Sequence, residues 1–251
     1  MNLTTYLDAI TNAPTIEALW DMHCTKMAEY GFTRVFYGCT NFRAGKSLGD
    51  PEDFVILTNH SRDYVDWFIG QGHYYHAPMV QWALDNEGYT SWGLIGDMMA
   101  SGLLTPSELS VVERNAKLGV TCGYTVSFKS ISPRSKGAIA LTGRPGMTQA
   151  EADIVWAEHG PEIVVMNNVA HLKILSLPYV GPERNLTKRQ LEALHWVGDG
   201  KTTADIALLM GLTPATVEKH LRLARDNLSV ETTAQAVLKA ALHNQMFVVE
   251  Y

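Results

Sequence analysis

Residues 211–228 read GLTPATVEKHLRLARDNL and contain a Lys, two Arg and a His, in a chain of formal charge -6. Thr213 can accept a hydrogen bond from a free backbone N–H of a first helical turn. Pro214 suits that turn because no partner is needed there for its missing N–H. The stretch therefore predicts a helix that begins at Pro214.

The predicted helix has an apolar face and a charged face. Its apolar residues recur at steps of four, three and four, which places them on one side: Val217, Leu221, Ala224 and Leu228. The charged side carries Glu218, Lys219, Arg222 and Arg225. A helix of this kind is either a solvated amphipathic surface or a surface that offers its charges to a partner.

Three neighbouring helices are predicted around this one. Thr187 with Gln190, and Thr202 with Asp205, have the spacing of capping boxes, in which each side chain satisfies a backbone N–H of the other residue. Gly211 is a helix end, and TTAQAVLKAALHNQ (232–245) supplies a fourth helix. A short turn containing Gly before a helix with a basic face is typical of a helix-turn-helix, whose second helix enters the major groove.

The hydrophobic residues of this turn have a predicted role. Ile206, Leu209 and Val217 are expected to close the angle between the two helices. The apolar stripe then holds the Pro214 helix against the domain, and its charged side reads DNA.

Residues 186–237 resemble the DNA-binding domain of LuxR-type quorum-sensing regulators. The resemblance rests on LT-x-R, G-K-T, D-I-A, T-V-x-x-H, L-x-V and AQAV in this order, with Gln190 where the family has Glu and Ser229 where it has Gly. It implies that Glu218, Lys219 and Arg222 face base edges, unless Glu218 pairs with Arg222 instead. The implied DNA-binding residues are Lys201, Thr202, Thr213, Thr216, Glu218, Lys219, Arg222 and Arg225, with Arg225, Lys201 and Thr202 nearer the phosphates.

A break in composition divides the chain. The stretch ILSLPYVGPERN (174–185) has two Pro and a Gly and no helical period. It predicts a first domain at 1–173, a linker at 174–184 and a DNA-binding domain at 185–251. From Gly181 onward eight basic residues balance eight acidic ones, so the negative charge lies before the break. DNA binding must therefore depend on a local basic face.

The first domain alternates helical and extended patterns. Helices are predicted at 15–31, 106–120 and 149–175, and strands at 33–42, 53–60, 120–130 and 136–143. Helices on both sides of strands indicate an α/β/α sandwich around an antiparallel sheet, so the whole chain is predicted as α+β with a C-terminal four-helix domain. A small apolar ligand can lie between such a sheet and its helices.

Residues 59–92 are rich in aromatics, which at helical spacing are more often core residues than ligand contacts. Their spacing nevertheless resembles the signal-binding region of the same family, aligned through Pro78 and Trp92. In that alignment Tyr64 replaces the usual Trp, Phe68 replaces Tyr, and Ala77 replaces the Asp that accepts the amide N–H of an acyl-homoserine lactone. The implied ligand-binding residues are Phe36, Gly38, His60, Tyr64, Phe68, Ala77, Pro78, Trp92, Thr125 and Ala140.

The ligand class follows from this resemblance and from its departures. A buried amide left without an acceptor costs about 1–3 kcal/mol, so the change at Ala77 bears on a lactone. His60, Tyr64 and Trp92 still offer polar groups beside an apolar cavity. An acyl-homoserine lactone or a related small apolar signal is the leading prediction, and a non-lactone ligand or a receptor that needs none is the alternative.

Other classes of protein are less well supported by the residues. Cys24, Cys39 and Cys122 form no C-x-x-C pattern and are predicted as small buried residues. His60, His73 and His76 could form a metal site of an enzyme, although no carboxylate motif accompanies them. A phosphorylated response regulator would need a doubly wound fold with carboxylates after parallel strands. Neither a catalytic residue nor a cofactor is predicted.

The partners and location follow from the leading interpretation. One helix-turn-helix reads only a few base pairs, so a homodimer on a two-fold related DNA site is expected. No apolar run of about eighteen residues occurs, and MNLTTYLDAITNA lacks the order of a secretory signal. The prediction is a cytoplasmic transcription regulator with no membrane partner.

Overall fold

The computed structural model describes residues 1–45, 47–130, 132–179 and 185–246. The chain divides into two compact units, Met1–Ile174 and Leu175–Tyr251. Residues 180–184 of the predicted linker lie outside the described residues. No helix within the described ranges is long and apolar enough to cross a membrane.

Within the described residues of the first unit, five strands form one antiparallel sheet in the order β2-β1-β5-β4-β3. The strands are β1 (Phe32–Thr40), β2 (Val55–Thr58), β3 (Gly88–Ser91), β4 (Gly123–Ser127) and β5 (Lys136–Gly143). The helices are α1 (Leu3–Thr11), α2 (Ile16–Glu29), α3 (Arg62–Val65), α4 (Pro78–Asp85), α5 (Gly93–Ala100), α6 (Pro106–Lys117) and α7 (Gln149–Ile174).

The two faces of the sheet are packed differently. Val35, Tyr37, Ile139 and Leu141 are fully or almost fully buried on the face that carries α2 and α7. Alternate residues of the same strands point to the other face because side chains on a strand have a period of two. That second face lies beneath α3, α4 and α6, and part of it is not filled by side chains. The predicted α/β/α sandwich with an antiparallel sheet is confirmed.

Several short elements of the first unit were not predicted. Strand β3 has four residues, and the side chain of Tyr89 within it is exposed. The helices α1, α3, α4 and α5 were also missed. Such segments give too few residues for a periodic pattern, and their conformation depends on neighbours such as β4, with which β3 pairs.

The second unit contains the predicted four helices, α8 (Lys188–Gly198), α9 (Thr203–Met210), α10 (Pro214–Asn227) and α11 (Thr233–Leu242). The predicted capping boxes at Thr187 and Thr202 are both formed. Thr213 accepts from the backbone N–H of Thr216 at the start of α10. Gly211 ends α9 with φ +66°, a conformation that favours glycine.

The core of the second unit corrects one detail of the prediction. Ile206 and Val217 are fully buried between the helices as expected, but the Leu209 side chain is 51% exposed. Ala207 and Met210 are buried in its place. The inward face of α9 is formed by positions 206, 207 and 210, since 210 lies four residues from 206 and three from 207, whereas 209 is on the neighbouring outward face.

The second unit also includes the first residues of the predicted linker. Asn244 Nδ2 donates to Leu175 O at 2.6 Å, and Gln245 Nε2 donates to Tyr179 O at 2.9 Å. The Tyr179 backbone N–H donates to His243 O at 3.0 Å. Residues 175–179 are therefore bound to the segment that follows α11.

The three cysteines are free thiols. Cys39 and Cys122 are buried, as predicted, and Cys24 is half-buried. Burial raises the pKa of the Cys39 thiol to about 11, so it stays protonated near neutral pH. These residues act as small parts of the packing.

Candidate ligand cavity and candidate nucleic-acid interface

A cavity of about 280 Å³ lies between the unfilled face of the sheet and helices α3 to α6. All ten predicted ligand residues line it: Phe36, Gly38, His60, Tyr64, Phe68, Ala77, Pro78, Trp92, Thr125 and Ala140. They come from β1, β4, β5 and the segments between β2 and α5. The volume is close to the lower end of the range for small-molecule sites.

Aromatic rings form one wall of the cavity. Tyr64 on α3 and Phe68 on the following π-helical turn, Asp66–Gly70, stack with ring centroids 5.4 Å apart. Phe36 meets Phe68 edge to face at 5.6 Å, and His60 stacks on Tyr64 at 4.4 Å. Tyr64 and Phe68 share a face because they are four residues apart on continuous helical turns. The wall is therefore apolar over most of its area.

Two of the predicted polar handles are already hydrogen-bonded within the protein. Trp92 Nε1 donates to Thr125 Oγ1 at 2.8 Å, and Tyr64 OH donates to Asn115 Oδ1 at 3.2 Å. Burial raises the pKa of the Tyr64 phenol, so it stays a donor. A ligand that used these groups would have to replace hydrogen bonds that they already make within the protein.

Three other polar atoms of the cavity wall have no such bond. His60 Nε2, Thr142 Oγ1 and Tyr74 OH are buried and have no hydrogen-bond partner among the described residues. Burial, together with the nearby positive charge of Arg34, lowers the pKa of His60 to about 4. The imidazole is therefore neutral near pH 7 and can either donate or accept.

Ala77 lies at the start of α4, next to Pro78 at the first helical position. It is the N-cap residue and is buried, with no side chain able to cap the helix. The Ala77 carbonyl accepts from the backbone N–H groups of Val80 and Gln81 at 3.0 and 3.1 Å. A carboxylate introduced at this position would have helix N–H donors within its reach.

Asn115 and Thr142 were missed by the sequence prediction. Thr142 lies two residues beyond Ala140 on β5, so the period of a strand could have identified it once Ala140 was assigned. Asn115 is on α6, 51 residues from its partner Tyr64. Nothing in the local pattern of α6 indicates that contact.

The described residues of the cavity wall include a basic side chain and no acidic one. Lys136 lines the cavity, with its Nζ donating to Asn86 O at 2.9 Å, and neither Asp nor Glu is among the described lining residues. Burial lowers the pKa of Lys136. Because oxygen acceptors with a negative charge are missing from the wall, a cationic ligand would find no counter-charge there.

The metal-site alternative has no support from the geometry. His73 and His76 lie on a short 3-10 turn, and the His73 ring stacks on Trp67 at 4.9 Å. Across the described ranges, no three or more His, Cys, Asp or Glu side chains are grouped so that they could hold a metal ion.

The outward face of α10 is the candidate nucleic-acid interface. Val217, Leu221 and Ala224 are buried beneath the helix, and Glu218 and Lys219 are exposed. Thr213 and Thr216, at the first turn, bring their hydroxyl oxygens within 2.9 Å of each other. Lys201 and Thr202 precede α9 and are exposed, and the Thr202 hydroxyl donates to Asp205 Oδ2 at 2.6 Å.

The ion pairs on α10 differ from the predicted alternative. Glu218 does not pair with Arg222: its carboxylate accepts from Arg225 Nη2 at 3.0 Å. Arg222 Nη1 donates instead to Asp226 at 3.1 Å, four residues along the helix. The Arg225 side chain is only 20% exposed and also donates to Thr233 Oγ1 at 2.8 Å, so it joins α10 to α11.

Comparisons with known proteins match both units. The sequence profile of the autoinducer binding domain matches residues 15–174, and that of the bacterial regulatory proteins of the luxR family matches residues 184–240. The transcriptional activator protein AnoR of Acinetobacter nosocomialis is 40% identical over 235 residues, which cover 90% of this chain and 91% of AnoR. AhyR of Aeromonas hydrophila is 32% identical over 191 residues, 74% of this chain and 71% of AhyR.

A solved structure also supports the fold. The structure of the LuxR family factor CepR2 from Burkholderia cenocepacia matches with a TM-score of 0.52 at 19% identity, and the match covers 68% of this chain and 92% of CepR2. At this identity the likeness bears on the fold alone. With the two sequence profiles and the AnoR match, the evidence is sufficient for a family: the chain belongs to the LuxR family of bacterial transcriptional regulators, with an autoinducer-binding domain followed by a luxR-type helix-turn-helix domain.

Proposed function

We propose that this regulator binds a small apolar signal in the cavity of its first unit and reads DNA with the outward face of α10. The observation that carries the proposal is the convergence of ten residues, from Phe36 to Ala140, on one cavity beneath the unfilled face of the sheet. The quorum sensing-dependent transcriptional regulator RpaR of Rhodopseudomonas palustris, 29% identical over 196 residues, is a relative of matching role. No catalytic role is assigned to any side chain.

Two ligand classes remain open for the cavity. Ala77 and Phe68 are both buried and apolar, so neither offers the acceptor or the hydroxyl that the family resemblance associates with an acyl-homoserine lactone. A lactone or a related apolar signal is the first candidate, and a non-lactone ligand is the second. Mass spectrometry of small molecules released from the purified protein tests the choice between them.

On the DNA side, Glu218, Lys219 and Arg222 are proposed to face base edges. The Arg222 side chain is 57% exposed, as is its partner Asp226. A pair so exposed is worth about 0.3–0.5 kcal/mol, so the guanidinium can leave it for the O6 and N7 atoms of guanine. Lys201, Thr202, Thr213 and Thr216 are proposed to contact phosphates.

Arg225 is a weaker candidate for phosphate contact than its charge alone indicates. Its guanidinium is bound to Glu218 and Thr233, so its first role is to hold α10 against α11. We propose that it adds positive potential to the interface from this fixed position.

The test of DNA reading uses Arg222→Ala on an operator selected from random DNA by the wild-type protein. Loss of a base contact is expected to cost about 1–3 kcal/mol on the operator and less on random DNA. Fluorescence anisotropy measures both affinities. Asp226→Ala is the matched control, because it removes the partner of Arg222 and leaves the guanidinium in place. Equal losses on both DNAs would show that Arg222 contacts only phosphate.

The assembly and location are proposed from the chemistry of DNA recognition. A single α10 helix reads only a few base pairs, so two copies on half-sites one helical turn apart supply the specificity. We propose a homodimer that acts in the cytoplasm, the compartment that contains the bacterial DNA. Light scattering of the complex with the operator gives the number of chains bound.

A further inference from the structure

The end of the cavity near His60 is built from three neighbouring chain segments. On β1 and β5, Arg34 and Thr142 are directly paired across the sheet, so their side chains share a face. Phe36 and Ala140, paired two residues further along, line the cavity on this same face.

The third segment follows β2. Its Asn59 backbone N–H donates to Val35 O at 3.3 Å, which keeps the chain beside β1 past the end of the strand. His60 is thereby next to Arg34, and the Arg34 charge acts on its imidazole. Arg34 thus lies between His60 on one side and Thr142 on the other.

Each of these three side chains has a buried polar atom with no partner among the described residues: His60 Nε2, Arg34 Nε and Thr142 Oγ1. Orphaned buried polar atoms are uncommon in folded proteins, and three neighbouring ones require an explanation. All three atoms can donate a hydrogen bond, and the Arg34 guanidinium can only donate. An acceptor is therefore the one kind of partner that could satisfy all three atoms.

Among the described residues, no acid pairs with the Arg34 guanidinium at this end of the cavity. The other guanidinium nitrogens of Arg34 donate to the Leu118 and Gly119 carbonyls at 3.0 and 2.5 Å, just past the end of α6. No described ion pair includes Arg34, and neither Asp nor Glu is among the described residues of the cavity wall. An anionic acceptor would be favoured here because charge-assisted hydrogen bonds are about twice as strong as neutral ones.

We propose that the signal is a small apolar molecule ending in a carboxylate, whose oxygens bind at the His60–Thr142 end of the cavity beside Arg34. This inference rests on the proposed function, in which the cavity binds the signal, and it selects the second, non-lactone class of ligand. The apolar body of the molecule lies along Phe36, Phe68 and Ala140, where no polar partner is needed. His60 and Thr142 touch the carboxylate, and Arg34 holds the end of α6 and supplies the charge.

Lys136 offers a competing site for a carboxylate, because it also lines the cavity and carries an ammonium group. Its Nζ is engaged with Asn86 O, and it begins β5, six residues before Thr142. A strand rises about 3.3 Å per residue, so the two positions are about 20 Å apart and can be tested separately.

The experiment compares decanoate, methyl decanoate and N-decanoyl-homoserine lactone on the full-length protein by isothermal titration calorimetry. The carboxylate is expected to bind about tenfold or more tightly than its methyl ester, since a hydrogen bond to a charged group is worth about 1.5–3 kcal/mol. Thr142→Val removes the hydroxyl with little change of shape, and His60→Phe keeps a ring against Tyr64. Each substitution is expected to lower the affinity for decanoate about tenfold and the affinity for the methyl ester much less.

Lys136→Met tests the competing site and is expected to change the affinities for decanoate and methyl decanoate alike, so that the preference for the carboxylate is kept. A loss of this preference in Lys136→Met, with none in Thr142→Val and His60→Phe, would overturn the assignment of the carboxylate end. Binding of the lactone or the ester in preference to decanoate would overturn the inference and leave the proposed function standing. Failure of all three probes to bind the wild-type protein would overturn both.

Discussion

The two units of the chain place their candidate functional residues in opposite relation to their cores. In the second unit the residues beneath α10 are close-packed, and the proposed DNA contacts lie on the exposed side of the helix. In the first unit one sheet face is packed, and the proposed ligand contacts surround a void on the other. A ligand in that void would become part of the core, whereas DNA on α10 would not.

The difference has a thermodynamic consequence. A molecule that binds only the folded state stabilises it in proportion to its concentration and affinity. In the first unit such binding also replaces missing dispersion contacts along Phe36, Phe68 and Ala140. Ligand binding and substitutions in the interior should therefore both change the stability of the first unit. Surface substitutions in the second unit should alter DNA affinity with little effect on folding.

The largest effect that we expect is the loss of stability of the first unit at low pH. Burial lowers the pKa of His23, His60 and His171 in the first unit to about 4 each. The unfolded chain, with histidine pKa values near 6.5, takes up protons first as the pH falls. The free energy of unfolding of the first unit should therefore decrease from about pH 6.5 down through pH 4, by up to about 1.4 kcal/mol per pH unit for each proton.

Urea unfolding at a series of pH values measures this dependence. His171→Phe should flatten the profile by about a third, because one of the three protons is removed. Its Nδ1 lies 2.9 Å from Tyr37 OH, and its ring stacks on Phe128 at 4.0 Å, so a Phe retains the ring contact. A profile that is flat in the wild-type protein between pH 6.5 and 4 would contradict the neutral buried imidazoles.

Truncation in the core of the second unit should have the next largest effect. Leu221 is buried beneath α10, so Leu221→Ala is expected to cost about 2–5 kcal/mol in that unit alone. The matched control is Leu208→Ala, since the Leu208 side chain is 84% exposed and its loss should change stability by about 0.5 kcal/mol or less. Hydrogen exchange of peptides from each unit gives both values. Equal loss of protection in the two units would show that they do not unfold separately.

Ala77→Asp is the mildest of these changes and sharpens the comparison at the cavity. Because Ala77 is the N-cap of α4, a carboxylate there can accept from helix N–H groups, which is worth about 0.5–2 kcal/mol. We expect the melting temperature without ligand to be unchanged or raised, despite the burial of the position. The same carboxylate should weaken the binding of decanoate by repulsion, and it should strengthen the binding of a lactone that has an amide N–H.

Differential scanning fluorimetry with each probe measures these shifts, and Ala77→Asn is the control that keeps the shape without the charge. A large loss of stability in Ala77→Asp would mean that the helix N–H groups are out of reach. Unchanged responses to both probes would remove position 77 from the ligand site.

Features set by nearby residues were the predictable ones. The caps at Thr187, Thr202 and Thr213 each involve residues within three positions, so the sequence pattern indicates them directly. The sheet was predicted from the strand-like segments, and the division into two domains was predicted from the break at 174–185. The cavity residues were assigned by resemblance, through the fourteen-residue spacing of Pro78 and Trp92.

Features that depend on distant residues were not predictable in the same way. Tyr64 meets Asn115 across 51 positions, and Thr142 is next to Arg34 only because β1 pairs with β5. Glu218 binds Arg225, seven residues away, rather than Arg222, and the same Arg225 side chain also donates to Thr233 at the start of α11. Such contacts depend on how elements pack, which a local pattern does not contain.

The most direct test of the cavity as a signal site is the ligand-induced melting shift of the wild-type protein against Ala140→Phe. Ala140 faces the cavity beside Phe36, its cross-strand partner, so a Phe there fills part of the void that the ligand would occupy. Decanoate, decanol and N-decanoyl-homoserine lactone are each added in excess. We predict that at least one raises the melting temperature of the wild-type protein and that none raises that of Ala140→Phe. The same shift in both proteins, or no shift in the wild type with any of the three, would contradict the account.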